Sequence, residues 1–330
     1  MEPERNIKRI LITGLTGTGG SQLAEYIVNN HPEVEVHGIS RSYGTLPSEN
    51  IKGIADKVVL HRCDMNDFSS ILKILKIVKP DGIFHLASYA EVKGSFDMPL
   101  FVTYNNIMSS ANLFEAVRQA EIDPYILITS TPEVYGQIPQ EQMPITENHQ
   151  TNPVNPYAAS KLYQEKLAYI YFKSYGMKNI VTRMFSYINP RRKDLFSTSF
   201  AMQVARIEEG LQKELLHGNL KSTRTLIDVR DSVDAYWTAL NKCRTGEIYN
   251  ISGKTVKTVG EFLDLLKSLA KTEIPSRLDP KLLRISDSVL QVVDTSKFEK
   301  ETGWKPKYSF EETIQYLLDY CRNEAKKYRI

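Results

Sequence analysis

Ile10-Leu-Ile-Thr-Gly14-Leu-Thr-Gly17-Thr-Gly-Gly20-Ser-Gln-Leu-Ala-Glu-Tyr-Ile-Val28 joins a short apolar run, a glycine turn and an amphipathic segment in direct succession. The apolar run predicts a strand buried on both faces of a parallel sheet. Glycine at 14, 17 and 20 lets the backbone approach a pyrophosphate, and the helix start beyond supplies unpaired N–H groups and a positive dipole end. Such spacing becomes specific only between a strand and a helix, which is where it stands here. Gly14, Thr16, Gly17 and Gly20 are therefore candidate cofactor contacts.

Further apolar runs at 34–40, 58–64, 82–87, 125–130 and 179–184 alternate with helical stretches. This rhythm predicts an α/β fold, a Rossmann-type doubly wound parallel sheet with right-handed crossovers. The second run ends in Ser40-Arg41 where an NAD-binding chain would carry Asp or Glu. An arginine there can pair with a 2′-phosphate, so NADP is favoured, with NAD as the alternative. Asp64 ends the third run, where it can reach an adenine amine; Asp67 competes with it for the helix cap that follows. Leu86 and Ala87 end the fourth run and form a wall of the crevice at the carboxyl ends of the strands.

The rhythm changes after Met184. Residues 1–186 are expected to form the cofactor domain, with a return of the chain at about 226–252, and residues 187–330 a smaller α/β substrate-binding domain. A chain of 330 residues is long enough for both. Its net charge of +3 is too small to indicate nucleic acid or membrane as a partner. The 3 cysteines are widely spaced without Cys-x-x-Cys, which fits reduced thiols better than disulfides or zinc. No apolar run reaches membrane-spanning length and no signal-peptide core is present, so a cytoplasmic protein is expected.

In Asn155-Pro-Tyr157-Ala-Ala-Ser-Lys161, Pro156 suits the first turn of a helix, and no further Gly or Pro occurs until Gly176. Tyr157 and Lys161 then lie four apart on one helical face. An ammonium beside a phenol favours the phenolate, which would draw the tyrosine from about 10 toward the range of a general acid/base.

Taken together, the glycine turn, Asp64, His85-Leu-Ala87, Ser130-Thr-Pro-Glu133-Val-Tyr-Gly136 and Tyr157-x-x-x-Lys161 resemble the extended short-chain dehydrogenase/reductase superfamily, in the branch that remodels nucleotide-activated sugars. The second half is similar to the GDP-mannose 4,6-dehydratase group, through Asn189-Pro-Arg-Arg192, Val204 to Gln212, His217 to Arg224, Leu283 to Asp287 and Thr302-Gly-Trp-Lys-Pro306. The resemblance implies a GDP-sugar substrate held by Arg191, Arg224, Arg284 and Asp287, with Glu91 and Ser186 beside the sugar. It implies Thr131, Glu133, Tyr157 and Lys161 as catalytic residues. Tyr157 would take the 4-hydroxyl proton, Thr131 would bind the 4-oxygen and Glu133 would remove the C5 proton. Lys161 would tune Tyr157 and hold the nicotinamide ribose. It also implies a homodimer or homotetramer.

Three positions depart from the dehydratase pattern. Pro132 stands where an Asp or Ser would donate a proton, Ala90 where a Ser would be, and Ser186 where an Asn would be. These leave a second reading open, a GDP-sugar 4-dehydrogenase, 4-keto reductase or epimerase on the same scaffold.

Overall fold

The computed structural model describes residues 5–41, 48–283 and 290–327. Its first half alternates: β1 (Arg9–Thr13), α1 (Thr18–Asn30), β2 (Glu35–Ser40), β3 (Val58–Arg62), α2 (Phe68–Val78), β4 (Gly82–His85), α3 (Val92–Asp97), α4 (Pro99–Gln119), β5 (Tyr125–Ser130), α5 (Pro156–Tyr175) and β6 (Asn179–Met184). The second half is less regular. It runs β7 (Tyr187–Ile188), α6 (Phe196–Glu208), β8 (Leu215–His217), β9 (Thr223–Asp228), α7 (Val229–Lys242), β10 (Ile248–Ile251), β11 (Thr255–Thr258), α8 (Val259–Ser268), β12 (Ser276–Leu278), β13 (Leu290–Gln291), α9 (Ser296–Thr302) and α10 (Phe310–Lys326).

Seven strands form one sheet in the order β10-β6-β5-β4-β1-β2-β3, and every pairing in it is parallel. Covered on both faces, β4 and β6 are buried along their whole length, including the polar His85, Asn179, Thr182 and Arg183. One face packs Leu23 and Ile27 of α1 with Phe84, Trp237 and Tyr249. The other packs Leu75 of α2 and Phe114 of α4 with Leu11 and Ile126. The strand order reverses direction between β1 and β4, which opens a crevice beyond their carboxyl ends.

A third core joins α6, α8 and α10 through Phe200, Val204, Phe262 and Leu317. Beside it, β9 pairs with β11 antiparallel and with β7 and β13 in parallel. β9 starts at Thr223 and stops at Asp228, whose carboxylate accepts from Arg230 N and caps α7. A cap residue ends one element and begins the next, so α7 starts at Val229, directly after β9. Of the two strands flanking α7, β10 joins the seven-stranded sheet and β9 the smaller one.

Candidate active site

Gly14 turns the chain out of β1 at φ +72°, a conformation open to glycine. At Gly20 a Cβ would lie 2.3 Å from Gly14 O, so the start of α1 sits directly on the turn. The crevice above it has a volume of about 390 Å³. Gly14, Thr16, Gly17 and Gly20 line its floor, and Arg41, Asp64, Leu86 and Ala87 also face it. Thr16 Oγ1 and Ser40 Oγ are hydrogen-bonded at 2.9 Å, joining the turn to the end of β2. Asp67, not Asp64, caps α2, by accepting from Ser70 N at 3.2 Å. Asp64 therefore remains at the crevice, accepting from Asn66 N at 2.9 Å.

The end of β4 is set by a buried relay. Thr13 Oγ1 bonds His85 Nδ1 at 2.9 Å and accepts from Ala87 N at 3.1 Å, while His85 Nε2 bonds Ser110 Oγ at 2.8 Å. Burial holds the His85 imidazole down at about 3, so it is a neutral, structural group.

At the other end of the crevice lie Thr131, Tyr157 and Lys161. Asn155 caps α5, its Oδ1 accepting from Ala158 N at 2.7 Å, and Pro156 fills the first helical position. Tyr157 is 7% exposed and lines the crevice beside Thr131. Burial pushes its phenol up to about 12, against the opposing effects of the Arg192 guanidinium and Thr131. Lys161 Nζ donates to Thr129 O at 2.7 Å, and burial pulls its ammonium down to about 7 against the attraction of Glu165. The cation that most favours the Tyr157 phenolate is thus Arg192, where the helical spacing alone pointed to Lys161.

Glu133 follows Thr131 and Pro132 in a single 3₁₀ turn, Pro132–Tyr135, capped by the Thr131 hydroxyl. Asn155 Nδ2 donates to Glu133 Oε2 at 3.3 Å. Glu133 faces a small outer recess shared with Val92, Phe96 and Asn155. Pro132 is buried and offers no side-chain donor or acceptor.

The residues expected at the sugar nucleotide are more dispersed. Arg191 turns to α1, where it donates to Ser21 Oγ at 3.0 Å and pairs with Glu25. Its neighbour Arg192, the second arginine of the same motif, lines the crevice and donates to Ala90 O at 2.7 Å. Glu91 opens α3 and accepts from Tyr89 OH at 3.1 Å. Ser186 links the end of β6 to β9, its carbonyl accepting from Ile227 N at 3.2 Å. Arg224 lies on β9. Arg284 and Asp287 lie outside the described residues. Among the described residues, no cluster of three or more His, Cys, Asp or Glu side chains is placed to hold a metal ion.

Gly19 supplies a test of fit for a dinucleotide. A Cβ there would project toward Leu86 Cδ2 at 3.5 Å and Tyr187 Oη at 3.9 Å, into the space above the helix N-terminus. An open floor of glycines, a helix start and the Arg192 guanidinium suit a pyrophosphate bridging two ribosides.

The family model of GDP-mannose 4,6 dehydratase matches residues 11–317. Among curated relatives, the GDP-6-deoxy-D-mannose reductase of Pseudomonas aeruginosa is 29% identical over 97% of this chain and 99% of its own. GDP-mannose 4,6 dehydratase 1 of Arabidopsis thaliana is also 29% identical, over 98% of this chain and 92% of its own. Among solved structures, RMD from Pseudomonas aeruginosa complexed with NADPH superposes with a TM-score of 0.83 at 26% identity, covering 96% of this chain and 99% of its own. With a Rossmann crevice, a Thr-Tyr-Lys end and this agreement along its length, the chain belongs to the GDP-mannose 4,6 dehydratase family of extended short-chain dehydrogenase/reductases.

Proposed function

We propose that this protein is an NAD(P)-dependent GDP-sugar 4,6-dehydratase acting on GDP-mannose or a related GDP-hexose or heptose. The observation that carries the reading is the convergence of Thr131 and Tyr157 at one end of the crevice, with Glu133 two residues beyond and tied to the Tyr157 helix through Asn155. Gly14, Gly17, Gly20, Arg41 and Asp64 would hold NAD(P), which would supply hydride chemistry between C4 and C6. NADP is preferred because Arg41 follows β2 at the crevice.

Tyr157 takes the proton of the 4-hydroxyl, and Thr131 holds the 4-oxygen as it becomes a ketone. Lys161 and Arg192 supply the positive charge that favours the Tyr157 phenolate during this transfer. The ketone acidifies C5. Glu133 removes the C5 proton, its electron pair forms the C5=C6 bond, and the C6 hydroxyl departs as water after taking up a proton. Saturation at C6 and protonation at C5 complete a 4-keto-6-deoxy sugar, so the net change is loss of one water.

Residues 1–186 with the return near β10 bind the cofactor in this reading, and residues 187–330 bind the GDP-sugar. Arg224, Arg284 and Asp287 are assigned to the nucleotide, and Glu91 and Ser186 to the sugar. The exposed apolar residues of α4 and α5, Leu100, Tyr104, Tyr169 and Ile170 among them, support a homodimer or homotetramer through that face. We assign the protein to the cytoplasm; no described helix is long and apolar enough to cross a membrane.

A second reading, a GDP-4-keto-sugar reductase, is favoured by Pro132, which removes the side chain expected to protonate the leaving hydroxyl. Incubation with GDP-mannose in deuterated water, with catalytic NADP and no net reductant, distinguishes the two. The dehydratase yields a 4-keto-6-deoxy product with the C4 hydrogen moved to C6 and deuterium at C5. No product there, with NADPH consumed by a GDP-4-keto-6-deoxy sugar, would replace it by the reductase.

A further inference from the structure

Asn155 uses the two ends of one amide for two parts of the site. Its Oδ1 caps α5 by accepting from Ala158 N at 2.7 Å. Only an oxygen can accept that bond, so the cap fixes the orientation of the amide and commits Nδ2, a donor, to the opposite side. There it meets Glu133 Oε2 at 3.3 Å.

The surrounding backbone leaves this meeting little freedom. Asn152 N donates to Val134 O at 2.9 Å, pinning the segment before α5 to the turn that carries Glu133. At Gly136 a Cβ would stand 2.0 Å from Asn152 O, so the two segments touch main chain to main chain. Asn155 itself is 7% exposed. Thr131 closes the circuit, its hydroxyl accepting from Glu133 N at 3.3 Å while its side chain lines the crevice with Tyr157.

Resting on the dehydratase reading above, we infer that Asn155 is a positioning residue for the C5 proton transfer. It holds one oxygen of the Glu133 carboxylate and leaves the other for the sugar. Hydride transfer at C4 relies on Tyr157, Thr131 and Lys161 and not on this contact. Asn155 therefore couples the elimination to the helix that performs the oxidation.

Asn155→Asp is the decisive variant. Aspartate caps a helix as well as asparagine does, so α5 keeps its start, but a carboxylate then faces a carboxylate. In the NADP-loaded full-length protein with GDP-mannose in deuterated water, deuterium incorporation at C5 is expected to fall roughly 10- to 100-fold, the worth of a hydrogen bond to a charged group. Cofactor reduction, followed by absorbance in a single turnover, is expected to fall less than about threefold, so reduced cofactor accumulates. Asn155→Ser, which caps without a donor or a charge, is expected to fall in the same sense by a smaller factor. Equal losses in both readouts, or no loss of exchange, would overturn the positioning role. Glu133→Gln runs in parallel: if it abolishes exchange while Asn155→Asp does not, the Asn155 role alone fails, and if it leaves exchange intact, the base assignment fails with it.

Discussion

Lys161 and Glu165 stand one turn apart on the buried face of α5 and divide the anchoring of the strand ends between them. The ammonium donates to Thr129 O at 2.7 Å, and the carboxylate accepts from Ser130 Oγ and, through both oxygens, from Arg183 at 2.9 and 2.6 Å. The Glu165 and Arg183 side chains are 1% and 3% exposed. Arg183 also lies over the Tyr135 ring at 4.6 Å, in the turn that carries Glu133. One ion pair therefore ties α5, β5, β6 and that turn together beneath the reacting groups.

A charge left alone at this depth is far more costly than the pair is stabilising. Glu165→Gln is expected to lower the unfolding free energy by about 3–5 kcal/mol. The double replacement Glu165→Met with Arg183→Met removes both charges and should lose less than half as much. Urea denaturation of the three proteins measures both values, and a double variant worse than the single one would contradict the assignment.

Lys161 also gives stability a pH dependence. Its folded pKa of about 7 is below the ordinary 10.5, so between those values the unfolded chain binds more protons than the folded one. Stability contributed by this group therefore rises with pH across that window and is absent below it. Tyr157 acts in the opposite sense, because its pKa is raised from 10 to about 12 and the unfolded phenol ionises first. Lys161→Met should flatten the rise, changing the difference between about pH 7 and about pH 9 by on the order of a few kcal/mol. Denaturant titrations of both proteins at the two pH values test this.

The strands of the large sheet were legible because burial on both faces favours apolar residues, as in the central runs of β1 and β5. α10 spans Phe310–Lys326, and Ser309 and Glu312 form a capping box that marks its start chemically. The crevice-lining glycines were legible for a similar reason: strand, turn and helix adjoin in sequence. Arg191 and Arg192 were not separable, because neighbouring side chains project in different directions and only the packing of α1 shows that Glu25 claims the first. The Asn155–Glu133 contact joins residues 22 positions apart through a turn whose path no local pattern specifies.

Gly19 and Gly20 are neighbours with different functions. Gly20→Ala drives a Cβ to 2.3 Å from Gly14 O and 2.9 Å from Leu15 Cα, so the turn must move. A loss of roughly 2 kcal/mol or more is expected, with no saturable NADPH binding. Gly19→Ala meets its nearest protein neighbour at an ordinary 3.5 Å and should leave the melting temperature within a few degrees of wild type. Its methyl projects into the crevice, and NADPH affinity should fall about tenfold or more by fluorescence titration. Equal NADPH affinity in Gly19→Ala and wild type would mean that the dinucleotide does not lie on this floor.

Arg192 acts on both titrating groups of the reaction at once. Its guanidinium lowers the Tyr157 pKa by favouring the phenolate and lowers that of Lys161 by repelling the ammonium. The same side chain holds the loop before α3 through Ala90 O at 2.7 Å. Arg192→Met removes the charge, so both pKa values rise and the two apparent pKa values of kcat/KM should move together to higher pH. A displacement of one unit corresponds to about tenfold in rate on a sloping limb. Arg192→Lys keeps the charge but loses the fork that reaches Ala90, and should reduce kcat/KM with little displacement of the profile. Were the loop contact the whole of its contribution, both variants would lower activity at every pH and leave the two pKa values where they stood.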